Sequence, residues 1–298
     1  MVESPQPPPV AEVWPIVNRE DWLSLDFTRA KAYVCAIFAE LAYWHIPAFE
    51  LAGHDRVKVV PSDAYQELAR RLVADDALVR LLRRADLAPV IIPQRYAIVV
   101  VVRTRHVIFV AIRGTAELYD WLINLNVRKI DLALNGGGRF HEGFYRAIEE
   151  CFDPLLDELR RDDPQVPVYV TGHSLGGAMA ALLHATWIAC RKCGTHSHGS
   201  PTHSAYTYGM PRYADDEGVH HCRCPYHIIK SKDIVPRVPP MWLGYANSLL
   251  EYDVSGTRIQ RATKGEAAPF FKWTWCLATT VAVTQHFIEG YRRDLVVP

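Results

Sequence analysis

Val166-Pro167-Val168-Tyr169-Val170-Thr171-Gly172-His173-Ser174-Leu175-Gly176, residues 166–176, is the stretch whose reading decides the fold. The Pro-flanked apolar run Val166 to Thr171 predicts a short buried strand, and the chain from Leu175 to Cys190 predicts a helix. Between them lies Gly-x-Ser-x-Gly. At so tight a strand-to-helix turn, bulk at the flanking positions would clash, and the serine Oγ is thrust above the sheet edge. The helix N-terminus then places free N–H groups and a favourable dipole beneath a developing anion. Ser174 is therefore the candidate nucleophile, and a merely Gly-rich turn is the plain alternative.

Strands and helices alternate outward from this turn. Tyr96–Arg103 and His106–Arg113 are β-branched runs separated by a short polar break and predict a hairpin of buried strands. Further strands are expected at Ser204–Tyr208 and Tyr226–Lys230, and a helix at Gly143–Arg161. Upstream, helices are expected over Phe27–Trp44 and from Ser62 or Asp63 to Ala85. The pattern predicts an α/β fold whose central sheet is mostly parallel and covered by helices on both faces. At 298 residues the chain is read as one domain over 1–298, with 1–94 an N-terminal arm and helices packed on a core at 95–298.

Chain order supplies partners for the serine. In folds with this turn the triad runs Ser, acid, His, and His286 is the only histidine after Tyr226 apart from His227, which sits inside a predicted strand. Among the acids between Ser174 and His286, Asp233 stands just past the carboxyl end of a strand, where catalytic groups of open α/β sheets collect. Asp253 is the second choice.

Ile112-Arg113-Gly114-Thr115, Asp120-Trp121, His141-Glu142-Gly143-Phe144, Gly172-His173-Ser174-Leu175-Gly176-Gly177, Gly209-Met210-Pro211-Arg212, Asp233-Ile234-Val235-Pro236 and His286 occur in this order. Together they resemble the class 3, fungal-type triacylglycerol lipases over about two thirds of the chain, from residue 95 onward. The resemblance implies an α/β-hydrolase fold, ester hydrolysis, the triad Ser174, Asp233 and His286, and a short helical lid after the Arg-Gly-Thr segment. It also implies an oxyanion hole from Thr115 and the backbone of Leu175. Tyr213-Ala214 stands where the family often has Val-Gly.

The residues after Thr115 support the lid. Leu118, Trp121, Leu122 and Leu125 recur at i, i+3, i+4 and i+7, with Glu117, Asp120 and Asn124 beside them, so an amphipathic helix is expected over Ala116–Asn126. A fixed surface helix with the same apolar stripe is the ordinary alternative.

Composition narrows the partners. Lys plus Arg equals Asp plus Glu, 33 against 33, so no net field favours nucleic acid or an anionic membrane. A near-neutral or apolar substrate fits better, and the resemblance implies an acyl lipid or similar ester, met at a lipid–water interface. No stretch reads as a transmembrane segment. Seven cysteines and no visible export signal suggest reduced thiols and a cytoplasmic protein, whereas a removed leader would make it secreted. The Cys- and His-rich stretches 190–203 and 220–224 offer zinc or disulfide chemistry as alternatives to loose thiols, but the ester mechanism itself calls for no metal and no organic cofactor. The expected activity is that of a serine carboxylic-ester hydrolase, a lipase or esterase. Phospholipase A1 or a feruloyl-type esterase is the alternative, and a catalytically silent lipase-like binding or scaffold protein is the alternative of another class.

Overall fold

The structure, a computed structural model, describes residues 8–43, 89–94, 96–114, 127–132, 137–160, 162–163, 165–192, 202–221, 225–255, 259–261 and 286–296. Its strands are β1 (Pro89–Pro93), β2 (Ile98–Arg103), β3 (Ile108–Arg113), β4 (Lys129–Asp131), β5 (Arg139–His141), β6 (Val168–His173), β7 (Thr202–Tyr208), β8 (Tyr226–Ile229), β9 (Glu251–Asp253) and β10 (Gln260–Arg261). Among the described residues, eight of these form one sheet in the order β1-β2-β3-β6-β7-β8-β9-β10, and β4 and β5 form a separate hairpin. Pairing from β3 through β6, β7 and β8 to β9 is parallel, and the outer pairs are antiparallel.

The helices are α1 (Val13–Val17), α2 (Arg29–Leu41), α3 (Glu142–Glu149), α4 (Phe152–Leu159), α5 (Leu175–Lys192), α6 (Asp216–His221) and α7 (Ile288–Leu295). Side chains alternate across the pleat, so each strand feeds two cores. Val100, Val102, Phe109, Tyr169 and Tyr206 pack with α1, α2 and α7. Val99, Val101, Val110, Ile112, Val168 and Val170 pack with α3, α4 and α5. Burial on both faces explains why the central strands read as continuous apolar runs. Each buried aliphatic side chain stabilises the fold by about 1.5–3 kcal/mol relative to exposure. Trp22 seals one edge of the first core, meeting Phe109 and Tyr169 edge-on at 5.2 and 5.0 Å between ring centroids.

Several boundaries differ from the sequence reading. The helix expected over Gly143–Arg161 is two helices, α3 and α4, with Glu150 and Cys151 between them. Pro154 explains the break: lacking an N–H, it is tolerated in the first turn of α4 but not in the middle of a continuous helix. The sheet begins at Pro89, before the boundary at residue 95, because β1 is an edge strand whose terminal prolines hide its strand character. The helix expected from Ser62 or Asp63 to Ala85 lies outside the described residues. No helix among the described residues is long and apolar enough to cross a membrane.

Candidate active site

The turn after β6 is as tight as its glycines demand. Strand β6 ends at His173 and α5 begins at Leu175, which leaves Ser174 alone between them with φ 56°. Among the described residues it is the one non-glycine with positive φ, a conformation that costs on the order of 1–3 kcal/mol and persists only where its surroundings hold it. A Cβ on Gly172 would run into the Gly176 carbonyl, and one on Gly176 into the Ile112 carbonyl of β3. The Ser174 N–H donates to the Tyr208 carbonyl of β7 at 2.9 Å. Leu175 opens α5, so no preceding turn of that helix can engage its N–H.

Asp233 follows β8 and is buried. Its Oδ2 accepts from His286 Nδ1 at 2.7 Å and from the Tyr291 hydroxyl at 2.6 Å, and its Oδ1 accepts from the Val235 N–H at 2.9 Å. With the imidazole proton committed at Nδ1, His286 Nε2 is left as a base. That atom and Ser174 Oγ are both buried without a hydrogen-bond partner among the described residues. Gly209, with φ +54°, admits this cluster: a Cβ there would lie 2.9 Å from Asp233 Oδ2 and 3.1 Å from His286 Cε1.

Tyr291 was not singled out in the sequence. Burial, the Asp233 charge and the hydrogen bond to Asp233 push its pKa well above the ordinary tyrosine value, so its hydroxyl stays a donor. A readable signal existed: Ile288, Tyr291 and Leu295 lie at i, i+3 and i+7 and form the buried stripe of α7. Asp253, the second-choice acid, closes β9, and its Oδ1 accepts the Ser255 N–H at 2.7 Å.

Behind Gly209 lies a second histidine–carboxylate pair. His227 Nε2 accepts the Met210 N–H at 3.1 Å, and its Nδ1 faces Glu251 Oε1 at 3.4 Å. Burial opposes the Glu251 charge, but His227, Arg237 and Arg212 outweigh it and hold the carboxyl below its usual range. Arg212, whose pKa burial lowers to about 10, donates to Asn247 Oδ1 at 2.7 Å and to the Pro239 carbonyl at 2.7 Å. His141 is scaffold as well: its Nδ1 accepts the Phe144 N–H at 3.3 Å to cap α3, and burial lowers its pKa to about 4.

The family described as Lipase (class 3) matches residues 109–242, a span that includes β3, the Ser174 turn and Asp233. Over that span, less than half of its length, the chain is similar to the class 3 lipases. It is 30% identical over 164 residues to the secreted mono- and diacylglycerol lipase 1 of Fusarium solani, covering 53% of this chain and 46% of that protein. It is likewise 30% identical over 187 residues to phospholipase A1-II 4 of rice, covering 52% and 45%. The chain thus spans about half the length of the curated relatives it matches. Lipase II of Rhizopus niveus superposes with a TM-score of 0.59 at 19% identity, covering 87% of this chain and 94% of that one. The fold is accordingly an α/β-hydrolase fold, shared with that lipase. The cytoplasmic expectation finds no support in these comparisons, since the Fusarium relative is named as secreted. Among the described residues Cys35 and Cys151 are buried free thiols.

Other expectations fall outside the described residues: the oxyanion residue Thr115, the lid residues Leu118, Trp121, Leu122 and Leu125, and most of the Cys- and His-rich stretches. Among the described residues no three His, Cys, Asp or Glu side chains group as metal ligands.

Proposed function

We propose that this chain is a member of the class 3 lipase family and a serine carboxylic-ester hydrolase acting on acyl lipids, with Ser174 as nucleophile, His286 as base and Asp233 as the acid that orients it. The observation that carries this reading is a serine held at positive φ on a strand-to-helix turn, in a fold that also presents an imidazole with its Nδ1 bonded to a buried carboxylate. Ser174 Oγ attacks the ester carbonyl as His286 Nε2 takes its proton, and the imidazolium returns that proton to the departing alcohol. Water then opens the acyl-enzyme by the same route. The Leu175 N–H at the α5 N-terminus, with Thr115, stabilises the tetrahedral oxyanion; one such donor is worth on the order of 10²–10³ in turnover. The Ser174–His286 hydrogen bond forms when substrate seats, as catalytic hydrogen bonds are often long or unformed before that.

An acyl lipid at an interface is the substrate class favoured by the relatives' names and by one surface feature. The run leaving Asp233 leads to Met241, Trp242 and Leu243, with Trp242 62% exposed, while Lys129 Nζ fixes the backbone beneath through the Leu243 and Gly244 carbonyls at 2.9 and 2.7 Å. Indole at a water–lipid boundary is favourable because one side of the ring is apolar and its N–H stays wet. The lid over Ala116–Asn126 belongs to this reading, and so does secretion, which the Fusarium relative favours. The rice relative makes phospholipase A1 activity the second reading.

The test is hydrolysis of p-nitrophenyl esters, mono-, di- and triacylglycerols and phospholipids by wild type and Ser174→Ala. Turnover of acylglycerols that Ser174→Ala abolishes is expected. Preference for phospholipids would select the second reading, and no ester turnover would leave a silent lipase-like binding protein.

A further inference from the structure

His173 precedes the nucleophile and closes β6, yet its side chain reaches the C-terminal part of the chain. Its Nε2 lies 2.6 Å from the main-chain carbonyl oxygen of His286, and the two rings stand 4.5 Å apart between centroids at a 36° tilt. A carbonyl oxygen only accepts, so Nε2 carries the proton and donates. His173 Nδ1 is then bare, and it is buried without a hydrogen-bond partner among the described residues. Burial first, and the neighbouring His286 second, lower the His173 pKa well below the ordinary histidine value, so the ring stays neutral beside the base. The backbone of His173 is fixed in turn: its carbonyl accepts the Tyr43 hydroxyl at 2.9 Å, and the Tyr43 ring meets the imidazole at 5.5 Å.

From this geometry we infer that His173 is a positioning residue, which holds His286 by its main chain while Asp233 holds it by its side chain. Two restraints then act on one residue. Asp233 fixes the Nδ1 end of the ring, and His173 fixes the peptide from which the ring hangs. One restraint alone leaves the ring free to pivot about the other point, and a displacement near 1 Å at a reacting atom can cost on the order of 10²-fold in rate. Because His173 is the chain neighbour of Ser174, the same contact ties nucleophile and base to a common origin. The buried, unpaired Nδ1 is the cost of this arrangement: a side chain chosen for packing alone would carry no polar atom there. This inference rests on the role of His286 proposed above.

The experiment compares His173→Phe, which keeps the ring and removes the donor, with His173→Gln, which restores an N–H donor. Turnover of dissolved p-nitrophenyl butyrate and the low-field proton resonance of the His286–Asp233 hydrogen bond are measured in each. His173→Phe is expected to lower kcat by about tenfold to a hundredfold with KM within about twofold, and to broaden or abolish the low-field resonance. His173→Gln should recover most of both. Wild-type kcat and an intact resonance in His173→Phe would overturn the inference. So would two variants equally impaired and equally lowered in Tm, which describes a packing role alone. The resonance needs no turnover, so a wild type that shows it but hydrolyses no ester would break the proposed function and leave the His173 contact to be judged by the spectra.

Discussion

Two histidine–carboxylate pairs flank the same corner of the sheet, and they differ in what sits on the far nitrogen. In both, Nδ1 faces a carboxylate: His286 meets Asp233 at 2.7 Å and His227 meets Glu251 at 3.4 Å. His227 Nε2 is occupied by the Met210 N–H, whereas His286 Nε2 has no partner among the described residues. Burial does not separate them, since all four side chains are buried. A buried imidazole is a base only where its second nitrogen is left open toward something that can lose a proton. His227 instead spends its lone pair on the Met210 N–H, next to Gly209.

The largest contrast should come from neutralising each acid in turn. Asp233→Asn is expected to lower kcat on a dissolved ester by roughly 10³–10⁴, because the wrong tautomer is then held at His286. Glu251→Gln should leave kcat within about threefold; equal losses would erase the distinction between the pairs.

Stability should show the reverse ranking. His227→Leu strands the Met210 N–H and leaves Glu251 without its imidazole, so a loss of about 1–3 kcal/mol is expected by denaturant titration, with kcat per folded molecule little changed. The pH dependence follows from Glu251. Its carboxyl is held below the usual range in the folded protein, so the unfolded chain binds that proton first as pH falls. The stabilisation is complete above its ordinary value of 4.5 and is lost as pH drops through the lowered folded value. Thermal melts from pH 7 downward should therefore steepen below about pH 4.5 in wild type and less so in Glu251→Gln.

Tyr291→Phe sits between the two behaviours, since it removes one of the two donors on Asp233 Oδ2 and keeps the other. A loss of about 1.5–3 kcal/mol in stability is expected from a hydrogen bond to a charged group, with kcat down by no more than about tenfold. The smallest effect is expected at Trp242, on the run that links the acids of the two pairs. Trp242→Ser should leave dissolved esters unaffected and lower emulsion hydrolysis by no more than about tenfold, as loss of one partly exposed anchor.

Much of this was legible in the sequence because burial on both faces writes itself as uninterrupted β-branched runs. Val99 to Val102, Ile108 to Ile112 and Val168 to Thr171 are central strands for that reason. Edge elements were not legible: β1 is masked by its prolines, and β4, β5, β9 and β10 have three residues or fewer. The proposed serine, acid and base could be ordered along the chain because the turn geometry needs glycines at fixed offsets and folds with this turn keep a fixed order of partners. What surrounds them could not. Tyr291 and His173 act through contacts spanning 58 and 113 residues, and neither spacing has a local signature. His227 reads as a strand residue, which it is, but its link to Met210 is a product of sheet order alone.

Activation of Ser174 is proposed to come from the His286–Asp233 pair and not from its neighbour. It is tested most directly by the rate at which a fluorophosphonate labels Ser174, read by intact mass and peptide mapping, in wild type, Asp233→Asn and Glu251→Gln. Rapid labelling confined to Ser174, slowed by at least about a hundredfold in Asp233→Asn and unchanged in Glu251→Gln, is the predicted result. Labelling elsewhere, or a Ser174 rate that Asp233→Asn leaves intact, would contradict it.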